Sequence, residues 1–214
     1  MHKIVTGLVF AIWGFAATAE TPTIAALGDS LVQGYGLVPE DGFVSQLQAW
    51  LRANGTDVVL INAGVSGDTS AGGAARAAWT LTPEVDALIV VLGGNDILRG
   101  LDPAVTRANI DRILQSAQQV DVDVLLVGMK APGNYGPQYQ ADFDAIYPEL
   151  AQQYGTVFFD SFFHGLTGEG SDPAALGAYM QADGIHPNAQ GVALIVDEMG
   201  PAVLELLART ATDG

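Results

Sequence analysis

One serine and one histidine in this chain have the neighbours that nucleophilic catalysis needs. Ser30 follows a short apolar run, and a serine hydroxyl becomes a useful nucleophile only when a base takes its proton. Of the three histidines, His2 lies at the extreme N-terminus and His164 has no acid beside it, whereas His186 comes three residues after Asp183. Asp183 and His186 alone could equally form a turn hydrogen bond. Combined with Ser30, they indicate a Ser-His-Asp triad.

Attack on a carbonyl creates an oxyanion, which needs hydrogen-bond donors already aimed at it. Gly67 can offer its backbone N–H, because no side chain blocks close approach. Asn95 can offer a neutral amide donor that works without changing its protonation state. In isolation, Gly67 would be interpreted as a turn glycine and Asn95 as a loop cap. Their position relative to Ser30 makes them candidate oxyanion donors.

The elements that must position these residues alternate between short apolar runs and segments with helical spacing. Five such runs separated by helices predict an α/β fold, with a buried parallel sheet covered on both faces. The last segment, residues 189–207, is mostly helical in pattern, although Gly200-Pro201 should kink or divide it. The predicted strands are residues 23–27, 58–62, 87–92, 124–127 and 157–159.

The candidate residues follow the predicted strands. Ser30 lies just past the first strand, residues 64–69 just past the second, and residues 93–96 just past the third. In open parallel sheets, ligands bind beyond the carboxyl ends of the strands. Three loops far apart in the sequence are therefore expected to meet at one edge of the sheet.

The first residues have the layout of a secretory signal. His2 and Lys3 give a positive start, residues 4–17 are largely apolar, and Ala17-Thr18-Ala19 is a small-residue cleavage site. We expect residues 1–19 to be a signal peptide and residues 20–214 a single mature domain in the periplasm or secreted. A membrane anchor is the alternative, but the apolar run is short for a span of roughly 20 residues.

The composition excludes several classes of protein. The absence of cysteine rules out a thiol enzyme and disulfide support. With 8 basic and 24 acidic residues the net charge is −16, which repels phosphate backbones and makes nucleic acid an unsuitable partner. No further histidine or cysteine cluster accompanies Asp183 and His186, so we expect no metal, and we also expect no cofactor. We expect a monomer without a stable membrane anchor.

Four sequence blocks carry Ser30, Gly67, Asn95 and His186, in this order. They resemble the blocks of the SGNH hydrolases, also called the GDSL family. Within that family the chain is similar to the subgroup of bacterial periplasmic multifunctional esterases, arylesterases, thioesterases I and lysophospholipases I. Matching stretches span essentially the whole expected mature chain; they are residues 28–31, 62–69, 93–100, 132–136, 145–148 and 183–188. The resemblance implies a three-layer, flavodoxin-like α/β/α fold with a five-stranded parallel sheet of order 2-1-3-4-5.

The resemblance also implies roles for individual residues. Ser30 would be the nucleophile, His186 the general base and acid, and Asp183 the group that orients His186. The backbone N–H groups of Ser30 and Gly67, with the side chain of Asn95, would form the oxyanion hole. The acids that adjoin site residues, Asp29, Asp68 and Asp96, are expected to brace the loops.

Substrate contacts are expected on two loops. Residues 97–102 resemble the mobile loop that contacts acyl chains in the subgroup, which assigns Ile97 and Leu98 to substrate binding. Gly94, in the Asn95 block just before this loop, is also expected to contact substrate. Residues 132–135 resemble the next loop lining the site, which adds Pro132. Between residues 162 and 180 the chain departs more from the family pattern, so acyl-length preference does not follow from the resemblance.

Rival catalytic signatures are missing. Residues 28–32 lack the second glycine of a G-x-S-x-G elbow, and residues 64–69 lack the lysine of a P-loop. We expect a cofactor-free serine hydrolase of short to medium acyl or aryl esters, with thioesters and lysophospholipids as further substrate classes. The alternatives are a carbohydrate acetylesterase of the same fold and a periplasmic binding module without catalysis.

Overall fold

The protein is described by a computed structural model that covers residues 21–167 and 176–210. The predicted signal peptide lies outside the described residues. Five strands form one parallel sheet of order β2-β1-β3-β4-β5, as the family resemblance predicts. The strands are β1 (Thr23–Gly28), β2 (Val59–Gly64), β3 (Ala87–Val91), β4 (Asp123–Val127) and β5 (Val157–Phe159).

Helices cover both faces of this sheet. On one face α9 packs against α2 and α8, and on the other α5 packs against α3, α6 and α7. The helices are α1 (Ser30–Gln33), α2 (Phe43–Ala53), α3 (Ser70–Thr80), α4 (Gly94–Leu98), α5 (Pro103–Gln119), α6 (Pro137–Asp144), α7 (Ile146–Tyr154), α8 (His164–Thr167) and α9 (Ala189–Thr210). Short 3-10 turns lie at Pro39–Asp41, Gly133–Tyr135 and Gly177–Tyr179. In the described part of the chain, no helix is both long and apolar enough to cross a bilayer.

The central strands are buried because helices cover them on both sides. All five residues of β3 are buried, and so are five of the six in β1. The edge strand β2 differs from the prediction of a buried strand, since Val59 and Ile61 are exposed while Leu60 between them is buried. The reason is that α2 packs against β2, whereas α3 packs against β1 and α5. Within the described residues, one face of the edge strand is therefore left partly exposed.

For the last helix, the prediction was a mostly helical segment that Gly200-Pro201 would kink or divide. Gly200-Pro201 does not divide it, and α9 runs as one helix from Ala189 to Thr210 with Pro201 inside. A proline in a helix removes one backbone hydrogen bond, and in this part of the chain α9 packs against α2. A Cβ on Gly200 would lie 2.5 Å from the ring of Trp50. The absence of a side chain at Gly200 thus lets α9 approach α2 closely. This approach lies beside Pro201, where α9 lacks one backbone hydrogen bond.

Candidate active site

The predicted triad residues meet at the carboxyl edge of the sheet. Ser30 is the first residue of α1, which begins directly after β1, and its Oγ lies 2.8 Å from Nε2 of His186. The other ring nitrogen, Nδ1, lies 2.7 Å from Oδ2 of Asp183. The three side chains thus form one chain of hydrogen bonds that joins residues 156 positions apart in the sequence.

A tight local turn holds the acid against the histidine. The second carboxyl oxygen of Asp183, Oδ1, accepts from the backbone N–H groups of Ile185 at 2.9 Å and His186 at 3.0 Å. Gly184 supplies the left-handed backbone, with φ +68°, that this turn requires. The acid and the base are therefore oriented by adjacent residues, and only Ser30 is brought from elsewhere.

The hydrogen bonds to Asp183 also set its charge. The bond from the His186 ring, followed by those from the backbone N–H groups of His186 and Ile185, lowers the pKa of Asp183 from 3.8 to about 2. The carboxyl is consequently ionised at neutral pH and accepts the Nδ1–H of His186. With that proton on Nδ1, the lone pair of Nε2 faces the hydroxyl of Ser30. This arrangement suits a general base.

Asn95 is held in place by a buried acid. Asp29 is 1% exposed, and its Oδ2 accepts from Nδ2 of Asn95 at 3.0 Å while its Oδ1 accepts from the backbone N–H of Leu31. Burial, the largest influence, raises the pKa of Asp29 against the lowering effect of these hydrogen bonds. Because Asp29 takes one of the two amide hydrogens of Asn95, the second remains for a ligand in the cavity that Asn95 lines.

The two loops that carry Gly67 and Asn95 are joined by a second buried acid. Asp96 is fully buried and accepts from the backbone N–H and the hydroxyl of Ser70, at the start of α3, and from the hydroxyl of Thr106 on α5. Asp68 forms an ion pair with Arg76 at 2.7 Å. We predicted that these acids brace the loops through backbone hydrogen bonds. Asp29 and Asp96 each accept such a bond, from Leu31 and Ser70, whereas the bond described for Asp68 comes from the side chain of Arg76.

Gly67 is the candidate that the described contacts connect least directly to Ser30. It adopts a left-handed backbone, with φ +82°, in the loop between β2 and α3. Its carbonyl accepts from Arg99 at 2.8 Å, and Arg99 lies in the loop that follows Asn95. Gly67 is not among the residues that line the cavity beside the triad. Its role as an oxyanion donor therefore rests on the family resemblance and on its place at the same sheet edge.

A mostly apolar cavity of about 800 Å³ opens beside Ser30, Asn95 and His186. All four residues predicted to contact substrate line it, and they belong to α4 or to the loop after β4. These four residues are Gly94, Ile97, Leu98 and Pro132. The cavity therefore connects the predicted acyl-contact loops to the predicted nucleophile.

The same cavity is lined by residues that sequence analysis missed. Lys130 and Asp160 form an ion pair at 2.7 Å across the ends of β4 and β5. His164, which the sequence left without a role, is exposed at the start of α8 and faces this cavity together with Phe163. Their positions in the sequence could have identified them, because Lys130 and Asp160 each follow the carboxyl end of a predicted strand, where ligands bind in parallel sheets.

A Ser-His-Asp chain of hydrogen bonds at the carboxyl edge of a doubly wound parallel sheet is typical of hydrolases. The model of the GDSL-like Lipase/Acylhydrolase family matches residues 26–194, and the chain belongs to this family.

Known proteins similar to this chain carry esterase names. Esterase TesA of Pseudomonas aeruginosa is 38% identical over 190 residues, which cover 88% of this chain and 91% of that protein. The thioesterase 1/protease 1/lysophospholipase L1 of Escherichia coli strain K12 is 33% identical over 190 residues, covering 88% and 86%. The crystal structure of AlinE4, an SGNH-hydrolase family esterase, superposes with a TM-score of 0.71 at 40% identity, covering 89% of this chain and 99% of that one. The chain is a carboxylic ester hydrolase.

Proposed function

We propose that the protein hydrolyses short to medium acyl or aryl esters through an acyl-enzyme on Ser30. The observation that carries this proposal is the hydrogen-bonded chain from Asp183 through His186 to Ser30, which ends at the mouth of a mostly apolar cavity. The signal peptide remains a prediction, because residues 1–19 lie outside the described part of the chain. The periplasmic or secreted location depends on that signal peptide and is a prediction as well.

The proposed reaction has two halves. In the first, Oγ of Ser30 attacks the ester carbonyl carbon while Nε2 of His186 takes the hydroxyl proton. The tetrahedral intermediate then collapses, the bond to the alcohol oxygen breaks, and the alcohol leaves with the proton from Nε2. In the second half, water gives a proton to Nε2 and attacks the acyl-enzyme. The carboxylic acid is released, and the proton returns from Nε2 to Oγ.

The oxyanion of each intermediate would be bound by three donors, the backbone N–H groups of Ser30 and Gly67 and the amide of Asn95. Asp29 supports the last of these, because its hydrogen bond keeps Nδ2 rather than Oδ1 of Asn95 at this position. The charge on the oxygen is greatest in the transition state, so these donors should act on kcat more than on substrate binding.

Asn95→Ala should lower kcat by roughly 10²- to 10³-fold, because one oxyanion donor is lost while the triad remains. KM for p-nitrophenyl butyrate should change little, since the ground-state carbonyl carries little charge. Steady-state kinetics of the purified variant measure both constants. Asn54→Ala, which removes an exposed amide at the end of α2, is the matched control. An unchanged kcat in Asn95→Ala would remove this residue from the oxyanion hole.

The apolar cavity predicts how activity depends on acyl length. Each CH₂ buried in it contributes up to about 0.8 kcal/mol, so kcat/KM should rise by up to about fourfold per carbon until the cavity is filled. A series of p-nitrophenyl esters from acetate to decanoate tests this expectation, with the matching thioesters and a lysophospholipid assayed beside it. A fall in kcat/KM from acetate onward, with turnover of acetylated sugars, would instead support the carbohydrate acetylesterase.

A further inference from the structure

An aromatic ring covers one face of the proposed base. The ring centroids of Tyr35 and His186 are 4.7 Å apart, and their planes are inclined at 36°. Tyr35 is 51% exposed, so burial of its apolar surface does not account for where the ring lies. It is also not among the residues that line the large cavity, so its described contact is with the base rather than with the expected acyl site.

The backbone around Tyr35 is arranged to present this ring. Gly34 and Gly36 flank it with φ values of +85° and +75°, left-handed conformations that a residue with a side chain rarely adopts. The backbone N–H of Tyr35 donates to the carbonyl of Ser30 at 3.1 Å. The backbone of Tyr35 is therefore hydrogen-bonded to Ser30, while its ring lies over His186.

One glutamine side chain joins the Tyr35 loop to the His186 loop. Nε2 of Gln181 donates to the carbonyl of Tyr35 at 2.8 Å and to that of Pro187 at 3.0 Å, and its backbone N–H donates to the carbonyl of His186 at 2.8 Å. A Cβ on Gly36 would lie 2.2 Å from Oε1 of Gln181, so a larger residue there would displace the Gln181 side chain from its present position. Both amide hydrogens of Gln181 are thus used to hold the two loops together.

We propose that Tyr35 is a positioning residue of the esterase, which holds the imidazole of His186 toward Ser30 and stabilises the imidazolium that forms when Oγ gives up its proton. The proposal rests on the triad mechanism above. Asp183 fixes the ring at Nδ1, and Tyr35 limits its rotation from one face. An aromatic face within about 6 Å of a cation attracts it, and His186 carries that positive charge only after proton transfer. Within residues 21–167 and 176–210, the carboxyls of Asp183 and Asp29 are ionisable groups that interact with His186.

The test compares Tyr35→Phe with Tyr35→Leu. Leucine keeps an apolar side chain but has no aromatic face, so kcat for p-nitrophenyl butyrate should fall by about 3- to 30-fold with KM within about twofold. Phenylalanine keeps the face and should restore kcat to within about twofold of the wild-type value. The rate at which a fluorophosphonate labels Ser30 should fall by a similar factor in Tyr35→Leu only. Trp79→Leu, at an 85% exposed aromatic residue near the end of α3, is the control.

Several outcomes would overturn the proposal. Wild-type kcat in Tyr35→Leu, a loss in Tyr35→Phe as large as in Tyr35→Leu, or a change confined to KM would each show that the ring does not act through His186. Gln181→Met keeps Tyr35 but removes both amide donors, so it should lower kcat in the same direction even if Tyr35→Leu fails to fold. An unchanged kcat there would also count against the proposal. Failure of the fluorophosphonate to label Ser30 in the wild-type protein would instead overturn the triad mechanism.

Discussion

Ser30→Ala is expected to lower kcat for p-nitrophenyl esters by about 10⁶-fold while the protein stays folded. The change removes the only hydroxyl to which His186 is hydrogen-bonded among the described residues, so no acyl-enzyme can form. What remains is the catalysis that binding and the oxyanion donors give to attack by water. The fold should survive, because the substitution removes one oxygen at the edge of the cavity and leaves the apolar core intact. Thermal unfolding of both proteins checks this last point.

Covalent labelling of the nucleophile is a second test of the role of Ser30. A fluorophosphonate should add once to the wild-type protein, and peptide mass spectrometry should locate the adduct on Ser30. Ser30→Ala should remain unlabelled. Ser116→Ala is the matched control, because Ser116 lies on α5 and its hydroxyl donates to a backbone carbonyl within that helix. Activity near the wild-type level in Ser30→Ala would refute the proposed nucleophile, and an unlabelled wild-type protein would favour the binding module.

His186→Ala is expected to lower kcat as severely as Ser30→Ala, because the hydroxyl then has no base. Asp183→Asn should cost roughly 10⁴-fold, since an amide at this position no longer stabilises the tautomer with its proton on Nδ1. The double variant Ser30→Ala/His186→Ala should be no slower than either single variant, because the two residues act as one unit. Steady-state kinetics at high enzyme concentration measure all four proteins.

Two comparisons sharpen the prediction for His186. His164→Ala changes the other described histidine, which lines the cavity but has no place in the triad, and its effect should fall mainly on KM. A loss of kcat in His164→Ala as large as in His186→Ala would mean that the base has been misassigned. Losses that add in the Ser30/His186 double variant would show that the two residues act independently, contrary to the proposal.

The charge of Asp183 also constrains how activity depends on pH. Its pKa is lowered from 3.8 to about 2 by the hydrogen bond from His186. A lowered pKa in the folded state means that this group contributes stability above the unfolded value of 3.8 and loses that contribution as the pH falls toward 2. We therefore expect any loss of activity between pH 7 and pH 4 to come from a group other than Asp183.

Much of the fold followed from local patterns. The short apolar runs predicted the five strands to within about two residues, because buried parallel strands require continuous apolar sequence between turns. The prediction of a buried strand was wrong at β2, and for α9 the sequence left open whether Gly200-Pro201 divides the helix. Exposure of Val59 and Ile61 depends on which strands α3 covers, and α9 continues through Pro201 where Gly200 lies against Trp50. Neither feature can be predicted from the local sequence pattern.

Residue types were enough to select the candidates, because the chemistry of ester cleavage admits few side chains. Ser30 and Asn95 were selected with the help of their positions after predicted strands, and Asp183 and His186 by their spacing of three residues. Local sequence could not supply the distances between loops. The 2.8 Å contact of Ser30 with His186, the amide of Asn95 held by Asp29, and the ring of Tyr35 over the imidazole are long-range contacts. Packing of the whole sheet decides such contacts, since small rotations of a strand or helix move its loops by more than the length of a hydrogen bond.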